Sequence, residues 1–238
     1  MASPTRRRMP ERPDVSFVVP ARNEREYLRG TLSSIASLDT AYEYEVLVVD
    51  GGSSDGTRAV ATEYDVTLLE QSGRGIGAGR HEGAQAARGE WLVFVDADTE
   101  LRANYLTAML GFLEGERLAA ASSRCRITGP AKAKLVETTI NHVFSRLAYP
   151  ILPGFNLVVH HRAYERAGGF PNVANEDTAF SRGLARQVPT GYCPQVLVES
   201  SGRRIERCGL TGTLVHYLRL DAHRLRSGYG RDTSQQTG

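Results

Sequence analysis

The sequence predicts an α/β protein, a single domain with a mainly parallel central sheet and helices on both faces. Three observations predict it. Short valine-rich apolar runs recur through the N-terminal half. Between them lie stretches with apolar residues at helical spacing. Each run also ends in a polar, acidic or glycine-rich turn, as strand–helix units feeding a parallel sheet do.

The elements follow in order. Residues 15–19 form a buried strand ended by Pro20. Residues 24–38 form a helix, with Tyr27, Leu28, Leu32, Ile35 and Leu38 at helical spacing. Residues 45–49 form a second strand ended by Asp50-Gly51-Gly52, and Ser54 or Asp55 caps a helix running to about Tyr64. A third strand spans 66–70, and a glycine-rich turn leads into a helix over 77–88. A fourth strand spans 91–95 and ends in Asp96-Ala97-Asp98. A helix over 104–113 follows. The second half is less regular: strands over 118–127, 157–160 and 195–199, and helices over 131–147, 177–186 and 209–225. No linker divides the chain into two domains.

Composition narrows the function classes. The 238 residues are 41% hydrophobic and 24% charged, ordinary for a globular protein. A net charge of +2 is too small for a dedicated nucleic-acid binder. Three cysteines, Cys125, Cys193 and Cys208, show no metal-ligand spacing and suit a reducing cytoplasm. No run of 18 or more apolar residues is present, so no membrane-spanning helix is expected. Arg6, Arg7 and Arg8 and the stretch 223–231 are basic tails, either solvated or weakly attracted to anionic headgroups.

In an open parallel sheet, ligands bind outside the carboxyl ends of the strands. Those ends here are Pro20-Ala21-Arg22-Asn23-Glu24, Asp50 to Asp55, Gly73 to Arg80, and Asp96-Ala97-Asp98. Together they suit a polar, phosphorylated ligand. Asp96 and Asp98 are two apart on extended backbone, so both can reach one hard cation such as magnesium or manganese. They also suit a turn with two solvated acids. Gly73-Arg74-Gly75-Ile76-Gly77-Ala78 fits G-x-G-x-x-A, with Asp96 about 20 residues on, which leaves a dinucleotide-dependent oxidoreductase as the rival. Against it, two strand–helix units precede this turn, and the site-like chemistry is spread over four strand ends. Glu176-Asp177 opens a helix, where acidic residues are favoured by the backbone, or else supplies a general base.

Taken together these blocks resemble the family 2 glycosyltransferases of the GT-A nucleotide-diphosphosugar fold. The resemblance rests on 16–24, on Val48-Val49-Asp50-Gly51-Gly52-Ser53-Ser54-Asp55-Gly56-Thr57, on 75–83, on Phe94-Val95-Asp96-Ala97-Asp98, and on Gly168-Gly169-Phe170 with Asn175-Glu176-Asp177. It implies a GT-A domain over 14–225, with a donor-binding half over about 14–100, an acceptor-facing half over about 101–225, and flexible tails at 1–13 and 226–238. It further implies a nucleoside pocket of Pro20, Ala21, Asn23 and Glu24, with Asp50 on the base and Ser53 and Asp55 nearby. Gly75 and Arg80 border the donor. Asp96 and Ala97 lie at the ribose and diphosphate, and Asp98, with Asp96, holds Mg2+ or Mn2+. Asp177 is the base, paired with Glu176.

The implied reaction is inverting transfer of one sugar from a UDP- or GDP-sugar to an acceptor hydroxyl or phosphate, such as a polyprenyl phosphate or a cell-surface glycan precursor. The absence of a Gln-x-x-Arg-Trp block argues against polymer synthesis. The expected location is the cytoplasm, with peripheral contact at the inner face of the membrane. The apolar residues Leu135, Ile140, Val143, Phe144 and Leu147 are either core or a lipid-facing groove. His216, His160 and His161 are structural, surface or site histidines.

Overall fold

Strands buried on both faces need apolar residues at consecutive positions, because successive side chains point to opposite sides. The computed structural model describes residues 12–129, 131–147, 150–173 and 175–203. In it the valine-rich runs are such strands: β1 (Val15–Ala21), β2 (Tyr44–Asp50), β3 (Thr67–Glu70) and β4 (Trp91–Val95). Val15, Phe17 and Val19 pack on one face with Leu28, Leu32 and Ile35 of helix α1 (Arg25–Ala36), while Val18 packs on the other with Ala84 of helix α3 (Ile76–Ala86). Helices α2 (Thr57–Ala61) and α4 (Tyr105–Gly115) join α1 on the first face.

The remaining elements are β5 (Thr99–Leu101), β6 (Ala120–Thr128), α5 (Ala133–Thr138), β7 (Asn156–His160), α6 (His161–Arg166), α7 (Glu176–Ala185) and β8 (Thr190–Ser201). Among the described residues the sheet has eight strands in the order β3-β2-β1-β4-β7-β6-β8-β5. It is parallel through β3-β2-β1-β4. Beyond β4 it is mixed: β7 runs antiparallel to β4 and β6, β8 runs parallel to β6, and β5 runs antiparallel to β8. The α/β fold class holds, and its parallel character is concentrated in the N-terminal half.

Chain direction sets where a ligand can sit. From β1 the chain steps to β2 and β3 on one side and to β4 on the other. That reversal leaves a crevice at the carboxyl ends of β1 and β4. Pro20 lies inside this opening: β1 extends through it to Ala21, pairing with Val49 and Asp50, but its pairs with β4 stop at Val18. A residue without an N–H is tolerated where one neighbour has already diverged.

The helix expected over 131–147 is interrupted. After α5 the backbone widens into a π-helical turn at Thr139–Val143 and then tightens at Phe144–Arg146. Asn141 is the reason. Its buried amide accepts from Cys125 N at 2.9 Å and donates to Cys125 O at 2.8 Å, giving β6 a side-chain partner. Ile140 is buried, but Leu135 and Val143 are 57% and 51% exposed. The basic tails at 1–11, the helix over 209–225, His216, Cys208 and the 226–238 tail lie outside the described residues. Cys125 and Cys193 are buried free thiols. Among the described residues no helix is long and apolar enough to cross a membrane.

Candidate functional site

The crevice opens into a cleft of about 650 Å³ walled by the ends of the four parallel strands. Pro20, Ala21 and Glu24 come from the end of β1, Gly51 from β2, Gln71 and residues 73–76 from the β3–α3 turn, and Asp96, Ala97 and Asp98 from β4. The glycine turn is shaped by side chains. Glu82 accepts from Ser72 N at 2.8 Å and Gly73 N at 2.7 Å, and these bonds, led by the one from Ser72, hold its carboxyl below the usual range. Gln71 Nε2 donates to Gly73 O and Gly75 O. Gly75 has φ +86°, a conformation that side-chain-bearing residues rarely adopt.

Behind the wall, the loops after β1 and β2 are laced together. Asn23 N donates to Ser53 Oγ, and Ser54 N donates back to Asn23 Oδ1, both at 2.9 Å. Asp55 accepts from Arg25 N and Thr57 N, and its carboxyl is held low chiefly by the Thr57 hydroxyl. Asp50 is fully buried and accepts from Ser53 N. Thus Asn23, Ser53 and Asp55 brace the loops, and Asp50 lies beneath Gly51; none of the four is on the cleft wall.

Arg80 also sits off the wall. It was expected to border the donor, but its side chain is only 3% exposed. Nη2 donates to Asp96 Oδ1 at 2.5 Å, and Nη1 pairs with Glu176. Burial works against its charge, but Asp96, Glu176 and Asp177 outweigh it. Gly154 makes room for it: a Cβ there would lie 2.5 Å from the guanidinium carbon. Glu176 is likewise pushed up by burial, with Arg80 pulling it down. Asp177 lies at the start of α7, accepting from Gly154 N at 3.2 Å and Thr178 N at 2.7 Å. The acidic pair therefore meets Asp96 through Arg80 rather than across the open cleft.

Asp98 faces a different cation. Arg203, just past β8, donates from Nε to Asp98 Oδ2 at 3.0 Å and from Nη2 to Glu24 Oε1 at 2.5 Å. Its guanidinium stacks over Tyr27, 4.4 Å from the ring centre. Burial, then neighbouring Asp96, push the Asp98 carboxyl up to about 6, with Arg203 opposing. Sequence reasoning missed Arg203, which follows β8 without any motif. It also missed Gln71, although the rule that strand ends carry the site pointed directly there.

The cleft's donor set fits a hard divalent cation. Asp98 and Glu24 converge on one guanidinium, Asp96 stands two residues away, and Glu24 Oε2 is buried without a hydrogen-bond partner among the described residues. Among those residues no group of three or more His, Cys, Asp or Glu side chains is set to hold a metal. Two carboxylates completed by phosphate oxygens suit magnesium or manganese. His160 and His161 lie at the other end of β4, near Glu90 and bonded to Gly89 O respectively.

The pattern of glycosyl transferase family 2 matches residues 16–166. Glycosyltransferase AglE of Haloferax volcanii is 28% identical over 194 residues, covering 76% of this chain and 63% of AglE. Poly(ribitol-phosphate) beta-N-acetylglucosaminyltransferase TarS of Staphylococcus aureus is 32% identical over 106 residues, 42% of this chain and 18% of TarS. The chain thus spans less than two thirds of these relatives. Among solved structures, S. aureus TarS 1–349 in complex with UDP superposes with a TM-score of 0.66 at 19% identity, over 79% of this chain and 60% of that one. Mannosyltransferase PcManGT from Pyrobaculum calidifontis, in complex with GDP-Man and Mn2+, gives 0.67 at 24% identity, over 87% and 64%. Both likenesses bear on the fold.

Proposed function

The chain belongs to glycosyl transferase family 2, and from that premise we propose that it transfers a single sugar, with inversion, from a UDP- or GDP-sugar to an acceptor hydroxyl or phosphate. The observation that carries the reading is the cleft itself: a polar crevice at the β1/β4 reversal, with Asp96-Ala97-Asp98 on one side and Pro20, Ala21 and Glu24 on the other. The solved relatives holding UDP, or GDP-Man with Mn2+, support a nucleotide-sugar donor.

In this reading the nucleoside lies against Pro20, Ala21 and Glu24, with Asp50, Asn23, Ser53 and Asp55 fixing the loops that shape the pocket. Gly75 borders the diphosphate. Asp98, with Asp96, holds Mg2+ or Mn2+, which when bound offsets the charge of the departing diphosphate. The acceptor oxygen attacks the anomeric carbon, the bond to the nucleoside diphosphate breaks, and Asp177 takes the acceptor's proton. Where the acceptor is a phosphate no proton need move, and Asp177 orients it. Glu176 holds Arg80, and Arg80 holds Asp96, so donor end and base are set relative to one another.

The exposed Leu135, Val143 and Leu147 support a lipid-linked acceptor such as a polyprenyl phosphate, with the enzyme cytoplasmic and in peripheral contact with a membrane. An oxidoreductase is not favoured. The Gly73-Gly75-Ala78 turn follows β3, the edge strand, rather than the strand at the reversal where a dinucleotide fingerprint belongs.

The test is a thermal-shift titration with UDP, GDP and NAD, each with and without manganese. Metal-dependent stabilisation by one nucleoside diphosphate, lost in Asp98→Ala, supports the transferase and names the base. Stabilisation by NAD alone overturns it.

A further inference from the structure

We infer that Arg203 is a resident counter-cation that couples metal binding to nucleotide binding, so that the cleft takes up a divalent cation effectively only together with a nucleoside diphosphate. The inference rests on the donor reading above.

Arg203, unlike Arg80, lines the cleft. Its guanidinium spans Glu24 Oε1 and Asp98 Oδ2, and its flat face lies on Tyr27. The adjoining backbone is anchored at the same place: Ser201 N donates to Asp98 O at 3.1 Å and Gly202 N to Thr128 O at 2.8 Å. The side chain is 24% exposed, and Glu24 and Asp98 are 17% exposed each. The carboxylates therefore meet a cation in a partly desolvated setting, where like-charge repulsion is weakly screened.

A divalent cation arriving alone at Asp98 would share the carboxylate with the guanidinium or expel it. Expulsion breaks the bonds to both carboxylates and the stacking on Tyr27, and the guanidinium regains only water. A diphosphate changes this balance. It offers oxygens matched to the guanidinium fork, so Arg203 can leave the carboxylates for the phosphate while Asp98 turns to the metal. Each ligand then favours the other, and by linkage the factor is the same in both directions.

The experiment measures Mn2+ binding to the full chain by electron paramagnetic resonance of free Mn2+, with and without UDP or GDP. Wild type, Arg203→Ala and Arg203→Lys are compared, with thermal melts to establish folding. Lysine keeps the charge but loses the planar fork and the flat face that lies on Tyr27, and it serves should the alanine variant fail to fold. In wild type, the nucleotide should tighten Mn2+ by about 5–150-fold, the usual range of such coupling. Arg203→Ala should bind Mn2+ alone about tenfold more tightly, so that the coupling falls by the same factor to what direct phosphate ligation of the metal supplies, and Arg203→Lys should fall part of the way. Nucleotide binding with wild-type coupling retained in both variants overturns the inference alone. If wild type binds neither UDP nor GDP, the donor reading falls and the inference with it.

Discussion

Arg80 donates to Asp96 Oδ1 at 2.5 Å from within α3, so the first aspartate of Asp96-Ala97-Asp98 enters the cleft already paired. The same guanidinium reaches Glu176 and lies 5.5 Å from the Phe170 ring centre. Removing it strands two carboxylates in a largely buried setting. Arg80→Met should cost about 3–5 kcal/mol of stability, read by urea denaturation. Gly154→Ala should cost about 1–3 kcal/mol by crowding the same group. Wild-type midpoints in both would show that the pairing is incidental.

Asp177 and Glu176 are adjacent but should separate kinetically. If Asp177 is the base, Asp177→Asn loses about 10²–10⁴-fold in turnover with a hydroxyl acceptor while donor affinity stays within twofold. Glu176→Gln weakens the hold on Arg80, so it should lower the melting point as well as the rate. Equal loss of donor binding in both variants would assign Asp177 a positioning task instead.

Arg80 also shows where the sequence was legible and where it was not. β1 to β4 could be read because strands covered on both faces leave unbroken apolar runs, and their ends mark the crevice. β5 could not: three residues held by pairing with β8 carry no periodicity. The helix over 131–147 obeyed local spacing, but a distant contact, Asn141 with Cys125, interrupts it. The family resemblance places Arg80 at the border of the donor. Yet it lies in a helical stripe of small residues, Gly77, Gly83 and Ala84, all buried. That stripe was a sign that the arginine points inward, to a carboxylate. Arg203 had no comparable sign, because its partners, Glu24 and Asp98, are far away in the chain.

Asp98 sets a pH dependence. Burial, then neighbouring Asp96, push its folded carboxyl up to about 6, above the ordinary value of about 3.9. Folding therefore favours its protonated form. That contribution to stability is full below about pH 4 and is lost as pH rises through about 6. Cation binding needs the ionised form and so runs the opposite way. The manganese-dependent thermal shift with a nucleoside diphosphate should be full well above pH 6. Below it, affinity for the cation should fall toward tenfold per pH unit. A flat profile across this window would mean that Asp98 is not the ligand.

At the other end of the sheet, buried Glu45 separates stability from function. Its Oε1 accepts from Ser16 Oγ at 2.7 Å and Arg88 N at 2.8 Å, and its Oε2 from Arg88 Nε at 2.9 Å and Nη2 at 2.6 Å. These bonds tie the starts of β1 and β2 to the residue that follows α3 and Ala87. Glu45→Ala leaves the buried Ser16 hydroxyl without its acceptor and the Arg88 amide with only its longer bond to Ser16 Oγ at 3.2 Å, while the half-exposed Arg88 guanidinium turns to water. The expected loss is about 2–3 kcal/mol, seen as a lower urea midpoint with unchanged slope. Because Ser16 and Glu45 sit at the strand ends opposite the cleft, nucleotide affinity in the folded variant should match wild type. A weakened nucleotide site at unaltered stability would place Glu45 in the functional machinery and contradict this division.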